Sequence, residues 1–565
     1  MRSRSTAPAL IAVVALTMLG LVPSASARSS GPLREYVVRY GDGVSLAQGR
    51  AAVRAAGGRV VDEIAAIGAA RVVTRNTAFL GDAGAQKALA GVARNKVIGF
   101  AEPALREKVD RVEALTAASR AQSAAVQTAA GAEPLAGLQW DMDMMDATVE
   151  GSYATQPGDP QVRVGIIDTG IDSTHPDLDD NVDTALSRNF TEDIPLIDGP
   201  CNQEPDRSCT DPATVDEGGH GTHVAGSVAA ELNGLGIAGV APEVTLVNLR
   251  AGQDSGFFFL WPTLQAYTYA GLNGIDVVNM SFFTDPWWAN CRDNPLDSEA
   301  EQEEQATVID LSNEALDFAS SHGVTLVASA GNEHTDMDNP TYDAISPDYP
   351  PGNEKVRDNI DNDCLIIPTE GNHVLSISAL GPSGRKAYYS NYGTTEIVVS
   401  APGGDRRDFF GTPQYGAPGT RVLSSYPAEL AKEEGLITGD FKARTPLAVV
   451  DCIGNPSSRG NCGVYVYLQG TSMASPHVSG VAALIVSEFG SGSGAGFGLS
   501  PATVERILRR TATNHACPTV SSAELYPDLV GVDENVPFED QECEGNLAFN
   551  SWYGDGIANA LSAVT

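Results

Sequence analysis

Five short apolar runs, each closed by Gly, Pro or Asp, constrain this chain more than any other feature: 162–167, 244–249, 277–281, 324–329 and 374–377. Helical patterns fill the intervals between them. Strands of this kind, too far apart for hairpins and joined by helix-length segments, assemble as strand-helix-strand units on a parallel sheet. The fold class expected is therefore α/β. At 565 residues the chain is too long for one ordinary domain, and length alone suggests two to four.

The region ahead of those runs is different. Arg2 and Arg4 precede an apolar stretch from Ala9 to Val22, and Ala25-Ser26-Ala27 has the small-x-small form of an export cleavage site. The stretch is short of the ~20 apolar residues that a spanning helix needs, and no later stretch reaches that length. The expected product is secreted, with residues 1–27 as signal peptide and no membrane span after cleavage. Residues 28–104 read as a compact α+β unit: strands near 35–40, 59–61 and 69–73, helices over 45–56 and near 83–93, and a closing strand at 97–100. Residues 105–134 are rich in Ala, Ser, Gln and charges and read as a linker. The remainder, 135–565, is the main domain.

Charge divides the chain at the same place. Residues 1–134 hold 17 basic and 10 acidic residues, a net of +7, and residues 135–565 hold 19 and 62, a net of −43. So acidic a surface repels phosphates and excludes nucleic acid as a partner, whereas it suits a basic segment docking in cis. All eight cysteines follow residue 200. With no C-x-x-C pair and an export signal, disulfides are favoured over zinc. Eight cysteines allow 105 pairings. Local pairing gives Cys201–Cys209, Cys452–Cys462 and Cys517–Cys543, and leaves Cys291 for Cys364.

Three segments carry chemistry. Val164-Gly-Ile-Ile-Asp168-Thr-Gly delivers a carboxylate at the C-terminal end of an apolar strand, the edge where α/β sheets place their sites. Gly218-Gly-His220-Gly-Thr-His223 sets an imidazole among small residues at a helix start, with His223 one turn on as a structural histidine. Gly470-Thr-Ser472-Met-Ala-Ser-Pro-His477 puts a hydroxyl at a helix N-terminus, whose N–H groups favour a developing oxyanion. Singly, each is an ordinary cap or packing motif. Together and in the order Asp, His, Ser, the D-T-G-I-D, H-G-T-H-V-A-G and G-T-S-M-A-S-P-H motifs resemble the subtilisin-like serine peptidases (subtilases).

The resemblance spans roughly 400 residues and implies a three-layer subtilisin-like fold with a mainly parallel sheet. It implies a serine endopeptidase acting on peptides or proteins, with Asp168, His220 and Ser472 as triad and the Asn332 amide as oxyanion donor. It makes 28–104 an inhibitory propeptide, a partner in cis. Asp254-Ser255-Gly256 and Ser281-Phe282-Phe283 become two edge strands that hold an extended substrate, with Ala330, Gly331 and Glu333 beside the primary pocket. There a phenyl group crowds the pocket and Glu333 favours a basic substrate residue. Calcium is implied as a structural cofactor held by Asp177, Asn233 and the backbone oxygens of Glu231, Leu235 and Ile237. The stretches 184–216, 334–370 and 426–466 look like insertions.

Overall fold

The computed structural model describes residues 30–96, 132–203, 207–350, 352–454, 461–529 and 540–565. The expected signal peptide, the linker and the strand at 97–100 lie outside the described residues, apart from the linker's last residues, 132–134.

The small unit forms a four-stranded antiparallel sheet from β1 (Ser30–Tyr40), β2 (Arg59–Ile64), β3 (Ala69–Asn76) and β4 (Leu89–Lys96), in the order β2-β3-β1-β4. Helix α1 (Leu46–Ala55) starts at Ser45, whose hydroxyl and the Gln48 side chain cap each other's backbone. The second helix, α2 (Phe79–Gly84), ends earlier than its alanine-rich sequence suggests. Residues 89–96 are a strand instead, because Val92 and Ala93 are buried where β4 pairs with β1. Tertiary pairing overrides local helix preference there.

The main domain is built on a seven-stranded parallel sheet in the order β11-β10-β9-β8-β5-β7-β6. Its strands are β5 (Arg163–Ile167), β6 (Arg188–Asn189), β7 (Thr245–Arg250), β8 (Val277–Met280), β9 (Thr325–Ser329), β10 (Val374–Leu380) and β11 (Ile397–Pro402). The five apolar runs all became strands. Every residue of β8, β9 and β11 is buried, as expected of a parallel sheet covered on both faces. The short α3 (Trp140–Met144) opens the domain. Helix α4 (His220–Ala229) lies with α8 (Thr471–Phe489) on one face, where Val224 shares a core with Val164, Ile166 and Val478. Helices α5 (Leu260–Leu272) and α6 (Glu299–Ser321) cover the other face, where Leu264 and Leu316 meet Val278 and Leu326. A second, three-stranded sheet of β12 (Val422–Ser425), β13 (Ala448–Cys452) and β14 (Cys462–Leu468), with α7 (Ala428–Glu433) in its first connection, leads directly into α8.

The small sheet lies on α5 and α6. Val37, Ile67, Ala69 and Ala93 join the core that those helices form. Charge frames this apolar contact: Arg39 Nε donates to Glu314 at 2.7 Å, and the Arg94 guanidinium is bound to the buried Glu304 carboxylate, which also accepts the Arg94 backbone N–H at 2.9 Å. Asn95 Oδ1 caps α5 by accepting the Trp261 N–H at 2.9 Å. All four cysteine pairs form as local pairing suggests. Within the middle insertion, held by Cys291–Cys364, Arg357 is fully buried between Asp297 and Asp343 and against the Trp287 ring.

Candidate active site

The site forms where strand ends and helix starts meet. β5 pairs with β8 through Ile167 and Met280, so Asp168 and Ser281 leave neighbouring strands side by side. Helix α4 begins at His220, and its first turn lies against the end of β5. Only glycine allows this: a Cβ on Gly221 would stand 2.1 Å from the Gly170 carbonyl oxygen and 3.0 Å from the Asp168 Cβ. His220 Nδ1 then donates to Asp168 Oδ1 at 2.8 Å, and Asp168 is fully buried. Burial of the ring opposes its protonation, but the Asp168 charge and hydrogen bond outweigh it and hold His220 above its ordinary range. Because Nδ1 carries the proton, Nε2 offers its lone pair, and it makes no hydrogen bond to any described residue.

A second carboxylate shapes this corner, and sequence reading missed it. Asp216 accepts the N–H groups of Gly218, Gly219 and Thr222 together with the hydroxyls of Thr169 and Thr222. It therefore ties the Asp168 strand end to the first turn of α4. His223 is buried, with Nε2 3.0 Å from the Val466 carbonyl, and burial pushes it down to about 3. It is a structural histidine, as its position implies.

Ser472 enters from the third side. Its helix contains Pro476, which has no N–H, so the Ser472 carbonyl loses the partner that a helix supplies four residues on. Ser281 Oγ replaces it at 3.0 Å, and Ser472 Oγ lies 3.4 Å from the Ser281 carbonyl oxygen. The nucleophile candidate is thus tied front and back to the end of β8. Asn279, one strand turn earlier, donates to Ser281 Oγ and accepts from Ser475 and Ser479. Asn332, just after β9, is oriented by Thr471: its Oδ1 accepts the Thr471 N–H at 2.9 Å and hydroxyl at 3.0 Å. That leaves the Asn332 amide nitrogen as the free donor beside the N-terminus of α8. Thr471 Oγ1 also accepts the Gly331 N–H at 3.1 Å.

The expected substrate-binding residues divide. Phe282 and Phe283 follow Ser281 and make no backbone hydrogen bond to other described residues, as an open edge requires. The Phe282 ring stacks on Phe258, with centroids 4.1 Å apart and planes 3° off parallel. Ala330 is buried in the core under the middle insertion. Glu333 does not project as a free charge: its Oε2 accepts the Asn332 N–H and the Asn391 amide, each at 2.8 Å. Asp254, Ser255 and Gly256 form a turn between the bridged residues Gly252 and Phe258, not an edge strand. The first insertion holds that turn shut, since Asp198 Oδ1 accepts both the N–H and hydroxyl of Ser255. The turn's other clamp is Arg250, fully buried, with nitrogens 2.7 Å from Asp254 and 2.6 Å from Asp211.

Asp193, Asp211 and Asp254 bring carboxylate oxygens within 4.8 Å of one another, close enough to share a metal ion, but Arg250 already sits among them. The residues expected to hold calcium gather elsewhere. Asp177 is fully buried; its Oδ2 accepts the Ile237 N–H and the Tyr465 hydroxyl, while Oδ1 makes no hydrogen bond. Burial pushes Asp177 up to about 8. Asn233 Oδ1 accepts the Leu235 N–H, and its amide nitrogen is 3.3 Å from Glu231 Oε2. So Glu231 brings its carboxylate, beyond the carbonyl expected of it. Glu133 joins them unforeseen, bonded to the backbone at Gly234 and Leu235 with Oε2 unpartnered and buried. Orphaned buried carboxylate oxygens with no cation beside them fit a hard divalent ion.

Comparison with known proteins decides the family. A profile described as the Subtilase family matches residues 159–528. This chain belongs to the subtilase family. It is a subtilisin-like serine endopeptidase. It is 27% identical over 353 residues to Subtilisin DY of Bacillus licheniformis, covering 62% of this chain and 84% of that protein. It is 27% identical over 396 residues to the nisin leader peptide-processing serine protease of Lactococcus lactis subsp. lactis, covering 70% of this chain and 50% of that one. The epidermin leader peptide processing serine protease from Staphylococcus aureus shares the fold, with a TM-score of 0.59 at 20% identity over 95% of this chain and 98% of that one. No helix among the described residues is long and apolar enough to cross a membrane.

If His220 is the base, it must be neutral to act. Because Asp168 raises its pKa, the acid limb of kcat/KM should have its midpoint above the ordinary value of 6.5. A pH–rate profile checks this, and a midpoint at or below that value contradicts the charge balance.

Proposed function

We propose that the chain is a secreted, self-processing zymogen that cleaves peptide bonds through Ser472, His220 and Asp168. The hydrogen bond from His220 Nδ1 to buried Asp168 carries this reading, because it leaves Nε2 unprotonated and without a hydrogen-bond partner among the described residues. Ser472 Oγ attacks the scissile carbonyl carbon and its proton passes to Nε2. The oxyanion takes the Asn332 amide and the Ser472 N–H. The proton then moves to the leaving amine, whose C–N bond breaks, and water repeats the sequence on the acyl-enzyme. Ser472 Oγ must leave its long contact with the Ser281 carbonyl oxygen to meet Nε2. Resting sites are often looser than the reacting complex.

Loss of one oxyanion donor costs about 10²–10³ in turnover in subtilisin, the reference case for this chemistry. Asn332→Ala should fall in that range and mature slowly, whereas Ser472→Ala should not mature at all. N-terminal sequencing of the secreted products tests both; the mature start is expected between Arg120 and Trp140, and the calcium reading below, which keeps Glu133, requires it to fall no later than that residue. Ser472→Ala processed at the normal rate and position would sink the self-cleavage reading.

Residues 28–104 are read as the inhibitory propeptide, a basic partner docked on α5 and α6 of the acidic domain. Removing one member of a buried, hydrogen-bonded charge pair across an interface costs about 2–5 kcal/mol. Arg94→Ala strips buried Glu304 of its countercharge and leaves it only the backbone N–H at 94, so after cleavage the retained propeptide should dissociate at least ~30-fold faster, read as the lag before full activity. An unchanged lag contradicts the docking reading.

Calcium is the cofactor proposed, with Asp177, Asn233, Glu231, Glu133 and the Leu235 and Ile237 carbonyls as its ligands. A bound ion at 100 times its Kd stabilises by about 2.7 kcal/mol, or roughly 3 °C in Tm for a domain of this size. Chelation should lower Tm by about that amount in the native protein and by much less in Asp177→Asn. Equal losses in both would place the ion elsewhere.

The substrates proposed are extended peptide segments laid along Phe282 and Phe283, with Glu333 setting no strong preference for a basic residue because its charge is already engaged. The clasped insertions beside the cleft favour a dedicated processing enzyme over a broad scavenger. A binding protein on an inactive scaffold, the competing class, would be expected to lack a triad member, and none is missing.

A further inference from the structure

His477 lies five positions after Ser472 on α8, and peptide-bond cleavage by the triad makes no use of it. It is fully buried, and both ring nitrogens are engaged. Nδ1 lies 2.6 Å from the Met473 carbonyl oxygen; a carbonyl only accepts, so Nδ1 carries a proton and donates. Nε2 lies 3.0 Å from Oδ2 of Asp141, which is equally buried, so one hydrogen bond joins ring and carboxyl. Asp141 belongs to α3, in the segment that opens the main domain. That segment is fastened along its length: Leu135 N–H to the Gly236 carbonyl at 2.7 Å, Gln139 to Ala238 at 2.8 and 3.1 Å, Trp140 Nε1 to the Arg421 carbonyl at 3.0 Å.

The first turn of α8 needs such support. Pro476 withdraws the helical partner of the Ser472 carbonyl, so the turn that sets the serine is weaker than an ordinary helix start. Ser281 holds it from the sheet side. The imidazole of His477 holds the next carbonyl, Met473, and Asp141 fixes the ring so that it cannot swing away. We propose that Asp141 and His477 are positioning residues for Ser472, through which seating of the 133–146 segment sets the reactivity of the nucleophile. Neither touches the reacting atoms, and both roles rest on the reading of Ser472 as the nucleophile.

Phosphonylation by a fluorophosphonate probe tests the proposal on the mature enzyme, with the labelled residue located by mass spectrometry and rates expressed per titratable site. Labelling of wild type at a residue other than Ser472 would refute the nucleophile reading itself, independently of the variants. With Ser472 labelled, Asp141→Leu, which removes the acceptor at similar volume, should slow labelling and kcat about tenfold and leave KM within twofold. Asp141→Asn, which keeps an acceptor oxygen, should recover most of that loss. His477→Gln combined with Asp141→Leu should be no slower than the worse single variant, since both break one linkage. Wild-type rates per site in Asp141→Leu, or a loss confined to KM, overturn the proposal. Where a variant fails to mature, hydrogen exchange in the full-length Ser472→Ala chain gives the same decision. Asp141→Leu should expose the amides of 473–480 and leave those of α4 unchanged; equal protection of 473–480 overturns it.

Discussion

Everything in the site depends on how closely the start of α4 can approach the end of β5. The Asp168–His220 hydrogen bond spans two elements separated by a long insertion, and it forms at 2.8 Å because Gly221 removes the Cβ that would otherwise strike the Gly170 carbonyl. Asp216 then fixes the approach by gathering five donors from both elements. The carboxylate that holds His220 is therefore flanked by a second one that orders both elements. A parallel sheet makes this economical: adjacent strands end in register, so Asp168 and Ser281 are brought together by backbone pairing before any side chain chooses a rotamer.

Much of this was legible in the sequence. Apolar runs bounded by Gly, Pro or Asp gave five of the seven strands of the parallel sheet, since a strand buried on both faces must be apolar throughout. The motifs pointed to Asp168 and His220, which the structure joins by a hydrogen bond, and to Ser472, which it ties to the end of β8, and local cysteine pairing matched all four bridges. What escaped reading were interactions set by distant partners. Residues 83–93 look helical by composition, yet 89–96 pair with β1. Asp254 and Ser255 look available to a substrate, but Arg250 and Asp198 hold them in a turn, and no local pattern at 254–256 announces a partner 57 positions away. Glu333 reads as a charge facing a pocket until Asn391 is seen to claim it. Glu133 and Asp216 carry no motif of their own.

The insertions follow one design. Each is closed by a disulfide or packed on a buried charge, so that added chain beside the cleft brings limited freedom with it. Arg357 in the middle insertion and Arg250 beneath the first are both fully buried, each meeting carboxylates drawn from more than one segment. A buried arginine whose partners lie on separate loops fixes the position of those loops, because removing any partner strands a charge in a medium that solvates it poorly. Among the described residues of the first two insertions, buried arginines brace the loops against one another.

The same logic connects the opening segment of the main domain to its two most sensitive points. Glu133 reaches the carboxylate cluster around Asp177, and Asp141, eight positions on, reaches the helix that carries Ser472. That segment is held at one end beside the acidic groups of the proposed cation site and at the other on the helix of the proposed nucleophile. On the proposed reading, cation binding and serine placement would be linked through a short run of residues that sequence motifs pass over. The linkage needs no new chemistry, only that this stretch of chain be pinned at both ends by buried acids whose partners lie in elements far along the chain.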